Sequence, residues 1–519
     1  MTRTGLILLL VLLSGPGRAE IAGAERFDTA MAADVYAAAF TFMLPRTLEA
    51  VPIAQLTLWG LKGLSTIDPR LVGERRESSL RLLLGSKVLF SRSAPAATDV
   101  PGWARLAAEM GAAGFATSAP LRETGTGGII QSFFDEIFNH LDPYSRYTAP
   151  RQAEDDRTRR AGQAGIGVVL ARRNNAILVQ SVTADGPAAI AGLAVGDTLG
   201  AVDGQATRGK SLAAVNGWLT GQEDTPVDVS WRGRDGKTRT IELVRVLVPP
   251  ESVRAERIGT ALVLRISDFN NGTAGRLQQE IELGLAAERT SVGTVQAPIQ
   301  GIVLDLRGNR GGVLRQAVLA ADILLPAGII ASTSGRDPDA TRVMRSTGGD
   351  QAPFIPVVVL VDGRTASAAE VLAAALADRG RAVVVGSATW GKGLVQTIAE
   401  LPDGGELRIT WSRILAPLGW PIHELGVLPQ ICTSLGQEVL SAALETLMTG
   451  QAPMAEQVAR HRALRAPLAP ADAVAIRNFC PAAEGREADM RVAKLLIENP
   501  ASYASALLAP LREAGPAAR

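Results

Sequence analysis

A serine, a lysine and a glutamine in this chain are of types that could do acyl-transfer chemistry. Ser367 lies in Thr365-Ala366-Ser367-Ala368-Ala369-Glu370, after an apolar run and at the start of an Ala-rich helical pattern. A hydroxyl held at a helix N-terminus has N–H groups beside it, that of Ala368 first, to stabilise an oxyanion. The same Ser-x-x-Glu spelling is a capping box, which needs the serine only to satisfy orphan helix N–H groups. Lys392 sits between Gly391 and Gly393, and Gln396 follows four residues later. Only six of the 53 basic residues are lysines. Arginine does not release its proton near neutral pH, whereas a desolvated lysine does. Trp390 and Val384 are expected to supply the burial. On a strand starting at Lys392, residues 392 and 396 share a face. The Gln396 amide oxygen can then accept from the ammonium and aim it, without favouring its charged form as a carboxylate would.

The elements around these residues read as α/β. Strand candidates are 261–266, 301–306, 356–361, 382–385 and 394–398, with helices at 273–287, 313–325 and 367–378 between them. Runs that are apolar throughout, such as Pro356 to Val361, fit a parallel sheet buried on both faces. Residues 25–157 read as a helical N-terminal region, its last helix ending at Asp142-Pro143. Residues 151–160 look like a solvated connector, and residues 436–519 return to Ala/Leu-rich helix. At 519 residues the chain has room for three or four domains.

Between these regions, residues 162–248 hold short β-rich runs separated by glycine turns and one helix near 211–219. The stretch Gly186 to Gly204, GPAAIAGLAVGDTLGAVDG, resembles a PDZ domain. Gly165-Ile166-Gly167-Val168 falls where that family keeps its carboxylate-binding loop. Backbone N–H groups in a glycine-rich turn form an anion nest, and a strand edge beside it can accept an extended peptide. Gly204 to Ser211 also spells a phosphate-binding loop, G-x-x-x-x-G-K-S, and a nucleotidase is the competing expectation. It sits inside a module too small and too β-rich for a nucleotide fold.

The segments GIVLDLRGNRGG (301–312), DGRTASAAE (362–370) and TWGKGLVQT (389–397) together resemble the carboxyl-terminal processing, or tail-specific, serine peptidases. The resemblance runs from about 125 to 432 and includes Asp142-Pro143-Tyr144-Ser145. It implies a multidomain α/β protein: a helical N-terminal region, a PDZ module at 162–248, a protease core at 255–432 similar to the crotonase and Clp-protease spiral, and a helical C-terminal region. It further implies Ser367 as nucleophile, Lys392 as base and Gln396 as its partner. One of Gly311 and Gly312 would supply the second oxyanion N–H beside that of Ala368. The implied activity is endoproteolysis of proteins recognised by their C-terminal tails. A PDZ scaffold with an inactive core is the alternative. Ala369, Arg310 and Trp390 depart from the residues common in the family, without removing a catalytic group.

Composition narrows the rest. Lys+Arg 53 against Asp+Glu 52 leaves +1, with no excess to neutralise phosphates, so no nucleic-acid partner is expected. His140, His423 and His461 show no ligand spacing, and two cysteines cannot build a four-cysteine zinc site. No metal or organic cofactor is expected. Residues 1–19 have a basic start, the apolar run Leu6 to Leu13 and small residues before position 20, the layout of a secretory signal peptide. Export to a bacterial periplasm or cell envelope follows, with no stable membrane span once the leader is cleaved. Cys432 and Cys480 can then be a disulfide or two buried thiols. The flanking helices leave room for a homo-oligomer.

Overall fold

The computed structural model describes residues 26–183, 186–290 and 297–508. The leader segment therefore lies outside the described residues. Two compact units separate by their internal contacts. The first comprises residues up to 44, residues 51–147 and residues 401–403; the second holds the rest.

The first unit packs the helices Ile53–Ile67, Val100–Thr117 and Ala119–Asn139 around apolar faces. Tyr36 stacks on Phe133, ring centroids 4.1 Å apart, at the centre of this core. The all-helical expectation for 25–157 needs amending. Leu71–Arg76, Ser79–Leu84 and Lys87–Ser93 form a three-stranded antiparallel sheet, burying Leu71, Leu80 and Leu82. The expected connector at 151–160, in the second unit, is also corrected. It is the helix Pro150–Ala161. One side of it is paired, Arg157 and Arg160 reaching the buried Glu406 and Arg408 pairing with the buried Asp156, while Arg151, Glu154, Asp155 and Arg159 are exposed.

In the second unit, Val168–Arg173, Ala176–Val182, Thr198–Val202, Pro226–Arg232 and Thr238–Val244 form an antiparallel sheet around Trp231, Val229 and Val202. Val168–Arg173 is an edge strand, so one line of its backbone groups lacks a strand neighbour. The chain enters and leaves this module through one antiparallel ribbon, Gln163–Gly165 against Val246–Val248.

The remaining core is a six-stranded sheet in the order Val253–Ile258, Ala261–Ile266, Gly301–Asp305, Val357–Val361, Ala382–Gly386, Ile431–Cys432. The first pair is antiparallel and the others are parallel. Every residue of the three central strands is buried, because helices cover both faces. Ala368–Asp378, Leu314–Asp322 and Thr273–Thr290 lie on one face, and Glu487–Glu498 and Gln437–Met448 on the other. A second, antiparallel sheet carries Leu394–Glu400 beside Glu406–Leu415.

Besides this packing, a disulfide and a buried histidine fasten the C-terminal region to the core. Cys432 and Cys480 are joined as a disulfide. Residues Ala455–Ala463 form a helix that buries His461, whose Nε2 lies 2.8 Å from the Gly426 carbonyl. Its ring sits edge-on to Trp420, near the buried Asp378–Arg462 ion pair. Burial, reinforced by the charges of Arg462 and Arg477, pushes His461 down to about 4. The unfolded chain therefore takes up this proton near pH 6.5 while the folded chain resists until about 4. Stability attributable to His461 is complete above pH 6.5 and is lost as pH falls towards 4. Asp378 and Glu370, raised by burial, act with the opposite sign. The difference between wild type and His461→Gln, read by urea unfolding at pH 7.5 and 4.5, isolates the histidine. Wild type is expected to lose about 2–3 kcal/mol relative to the variant over that interval; parallel profiles would refute it.

Candidate active site

The parallel strands present their carboxyl ends together, where ligands bind in open α/β sheets. Two turns emerge there, 306–312 after Gly301–Asp305 and 362–367 after Val357–Val361, and polar residues knit them. Asp362 is buried, and its Oδ1 accepts the N–H groups of Gly308, Arg364 and Thr365 at 3.0, 3.0 and 2.9 Å. Thr365 Oγ1 donates to the Leu306 carbonyl at 2.9 Å. Asn309, fully buried, accepts the Ala366 N–H on its own carbonyl and the Gly311 N–H on Oδ1.

This knitting delivers Ser367 at the first turn of Ala368–Asp378. Its dihedrals, φ 58° and ψ −120°, are not the extended ones of an ordinary N-cap. A non-glycine residue in this conformation stores strain of order 1–3 kcal/mol. The sharp strand-to-helix turn projects a side chain outward, as nucleophile elbows do. The turn demands glycine at position 311, where an added Cβ would lie 2.8 Å from Ser367 Cβ and 2.9 Å from the Ala368 nitrogen.

Glu370 brings the lysine segment to the serine. Its carboxylate is wholly buried and accepts four hydrogen bonds. Oε2 takes the backbone N–H of Ser367 at 2.7 Å and that of Lys392 at 2.9 Å. Oε1 takes the Gly391 N–H at 2.7 Å and the Thr389 hydroxyl at 2.5 Å. Burial raises the carboxyl above the ordinary range, and these four donors oppose it. Every neighbour points a hydrogen at it, so the geometry accommodates the ionised form, with the Arg477 charge close by. Thr389 continues the chain of bonds, since its Oγ1 accepts the Val427 N–H at 2.7 Å. Gly393 closes the segment against backbone, an added Cβ falling 2.1 Å from the His423 nitrogen.

Among the sequence candidates, Ser367, Ala368, Gly311 and the backbone of Lys392 thus converge. Gly311 donates its N–H to Asn309 Oδ1. Among the described residues, the N–H groups of Gly312 and Ala368 have no protein acceptor. Gln396 lies on Leu394–Glu400, its Nε2 held by Thr410 Oγ1 and the Leu394 carbonyl at 3.2 and 3.3 Å. The strand begins at the expected Leu394, so Lys392 precedes it, and the bulge opposite Val395 and Gln396 is in the partner strand, which carries the extra residue Trp411. Trp390, expected to help bury the lysine, is 58% exposed, with its backbone N–H on the Thr365 carbonyl.

The remaining candidates lie in the antiparallel module. Gly165 ends the entry ribbon, Ile166 is buried, Gly167 turns with φ 79°, and Val168 opens the edge strand. The helix Leu212–Leu219 packs near that strand. The phosphate-loop spelling is contradicted. Thr198–Val202 and Gln205–Ala206 make a β-hairpin there, Thr207 is buried on the Gly200 carbonyl, and Ser211 caps Leu212–Leu219. No parallel strand feeds the helix, so no cradle for phosphates forms.

Residues 260–433 match the description "Peptidase family S41", and residues 178–232 match "PDZ domain". The chain is 34% identical over 309 residues to the "Carboxy-terminal-processing protease" of Bartonella bacilliformis, covering 58% of this chain and 69% of that protein. The chain belongs to peptidase family S41. It is a serine peptidase of the C-terminal-processing kind with a PDZ domain. A "Probable CtpA-like serine protease" of Staphylococcus aureus is 33% identical over 293 residues, 56% of this chain and 57% of that protein. The solved "Photosystem II D1 C-terminal processing protease" is 26% identical, covering 72% of this chain and 92% of that one, at a TM-score of 0.36.

Glu370 is the residue whose second task the sequence concealed: the capping box announces its bond to Ser367 but not those to Thr389, Gly391 and Lys392. Replacing Glu370 by Gln turns an NH2 group towards two of those donors. The expected result is a fall in kcat/KM of about a hundredfold or more, carried by kcat, with a loss of about 2–4 kcal/mol in urea unfolding. Wild-type kinetics in the variant would show that the carboxylate does not set the geometry.

Proposed function

We propose that this S41 peptidase is an exported endopeptidase that captures the C-terminal tail of a protein and cuts it with a Ser367–Lys392 dyad. The observation that carries the reading is the single Glu370 oxygen that accepts the backbone N–H groups of both Ser367 and Lys392. A strained serine at a helix start and a glycine-flanked lysine tied to the same atom fit nucleophile and base.

In this mechanism, the neutral amine of Lys392 takes the Ser367 hydroxyl proton as Oγ attacks the scissile carbonyl. The Ala368 and Gly312 N–H groups receive the oxyanion, since Gly311 is committed to Asn309. Gln396 is assigned the task of accepting from the lysine on its amide oxygen, a role supported by the way Thr410 and Leu394 occupy its NH2 group. The ammonium then protonates the leaving amine; Lys392 next deprotonates a water that attacks the acyl-enzyme, and as the acyl C–Oγ bond breaks the ammonium returns that proton to Ser367 Oγ. The edge strand Val168–Arg173 and the turn Gly165 to Gly167 provide for an added peptide strand ending in a carboxylate. Among the described residues, no helix is long and apolar enough to cross a membrane.

The test is cleavage of an unstructured protein with an apolar C-terminus. Ser367→Ala, Lys392→Ala and Lys392→Arg are each expected to lose about 10³-fold or more in kcat/KM while their unfolding midpoints stay within about 1 kcal/mol of wild type. The arginine variant keeps a cation that does not act as a base. Cleavage at the wild-type rate by Ser367→Ala would overturn the proposal. A wild type that binds tails and cuts nothing would instead favour a peptide-binding scaffold.

A further inference from the structure

A cavity of about 630 Å³ opens beside the two knitted turns that carry Gly312 and Ser367. Six cationic side chains line it: Arg265, Arg307, Arg364, Arg486, Arg491 and Lys494. Three acidic residues accompany them, and none offsets the excess where a ligand would sit. Asp362 spends its carboxylate on backbone N–H groups, including that of Gly485 at 3.2 Å. Glu484 pairs with Arg364, and Glu487 with Arg491, in exposed contacts of 3.4 and 3.8 Å, which hold charge only weakly. Arg307 is held by the buried Asp305 and Asp489. Arg265, Arg486 and Lys494 have no acidic partner among the described residues. In a chain with net charge +1, and with six lysines in all, this concentration does not follow from composition.

The cavity is built into the active-site scaffold. Its walls include Gly308, Asp362 and Arg364, from the same two turns that carry Gly312 and Ser367. Arg364 is three residues from Ser367, so at most about 11 Å of chain separates them. Residues 484–487, another part of its lining, are tied to those turns by the Gly363 N–H on the Ala483 carbonyl at 2.7 Å and by the Gly485 N–H on Asp362 Oδ2 at 3.2 Å. The Cys432–Cys480 disulfide anchors the start of that wall. The cavity wall and Ser367 therefore share one hydrogen-bonded turn. The volume exceeds what one small anion fills.

We propose that this cavity is a substrate subsite that binds an acidic stretch of the polypeptide being cut, near the scissile bond, with Arg265, Arg486 and Lys494 as its ligating cations. The proposal rests on the peptidase reading above. It makes charge near the cut a determinant of specificity, separate from the C-terminal tail.

Two substrates with the same apolar tail, one with Glu-Asp-Glu flanking the cleaved region and one with Gln-Asn-Gln, test it. Wild type is expected to favour the acidic one about tenfold in kcat/KM at 50 mM salt, through KM, and to lose the preference at 0.5 M salt as screening shortens the range of attraction. In Arg265→Gln/Lys494→Gln the ratio between the two substrates is expected to fall to near one. Equal rates in wild type, or a ratio unmoved in the double variant, would overturn it. If neither substrate is cut, the peptidase reading fails on its own. The cavity is then judged by fluorescence anisotropy of a labelled Glu-Asp-Glu peptide on Ser367→Ala protein, with and without the two glutamines. Competition by inorganic phosphate with no peptide binding would assign the cavity to a small anion and refute the proposal.

Discussion

A buried carboxylate is costly unless hydrogen bonds replace its water, and Glu370 meets that condition by binding the two segments that matter most. Its four donors come from Ser367, Thr389, Gly391 and Lys392. The acceptor is on the helix Ala368–Asp378, whose side chains are all buried in the core. Position therefore flows outward: sheet and helix fix Glu370, and Glu370 fixes the backbone at both proposed catalytic residues. Removing the acceptor leaves several buried donors without a partner at once, the situation in which hydrogen bonds have their largest effect.

The same device recurs around it. Asp362 gathers N–H groups from both turns, Asn309 crosses between them, and Asp305 holds Arg307 in a two-pronged pair. Each is buried or nearly so. Loops that leave a parallel sheet have no ladder partners of their own, so side-chain acceptors must replace them. The strain at Ser367 is sustained by this over-determined surround. The glycine at 311 is the other half of that arrangement, since a side chain there would collide with the turn it supports.

Much of the core was legible in the sequence because its strands are apolar throughout. Ala261–Ile266 was read with the observed bounds, and Gly301–Asp305, Val357–Val361 and Ala382–Gly386 to within a residue. The half-buried strands Glu406–Leu415 and Val253–Ile258 mix charged residues with apolar ones and did not stand out. The 151–160 stretch was misread in part, because Asp156, Arg157 and Arg160 are satisfied by Arg408 and Glu406, some 250 residues away, and composition does not distinguish a paired charge from a solvated one. At the site, Ser367 and Lys392 were readable from local spelling. The wider role of Glu370 was not, because three of its donors lie 19 to 22 residues downstream.

The placement of lysine and arginine follows from the same electrostatics. Arginine serves where a fork must hold a carboxylate permanently, as Arg307 holds Asp305 and Arg381 holds Asp350. Lys392 stands where the turn must be narrow, between two glycines, one of which meets the His423 backbone. Glu370 takes the Lys392 backbone N–H, so the carboxylate fixes that residue through its peptide group. A carboxylate on the ammonium would favour the charged form and oppose its use as a base, whereas a carboxylate on the peptide N–H supplies position with a smaller electrostatic penalty.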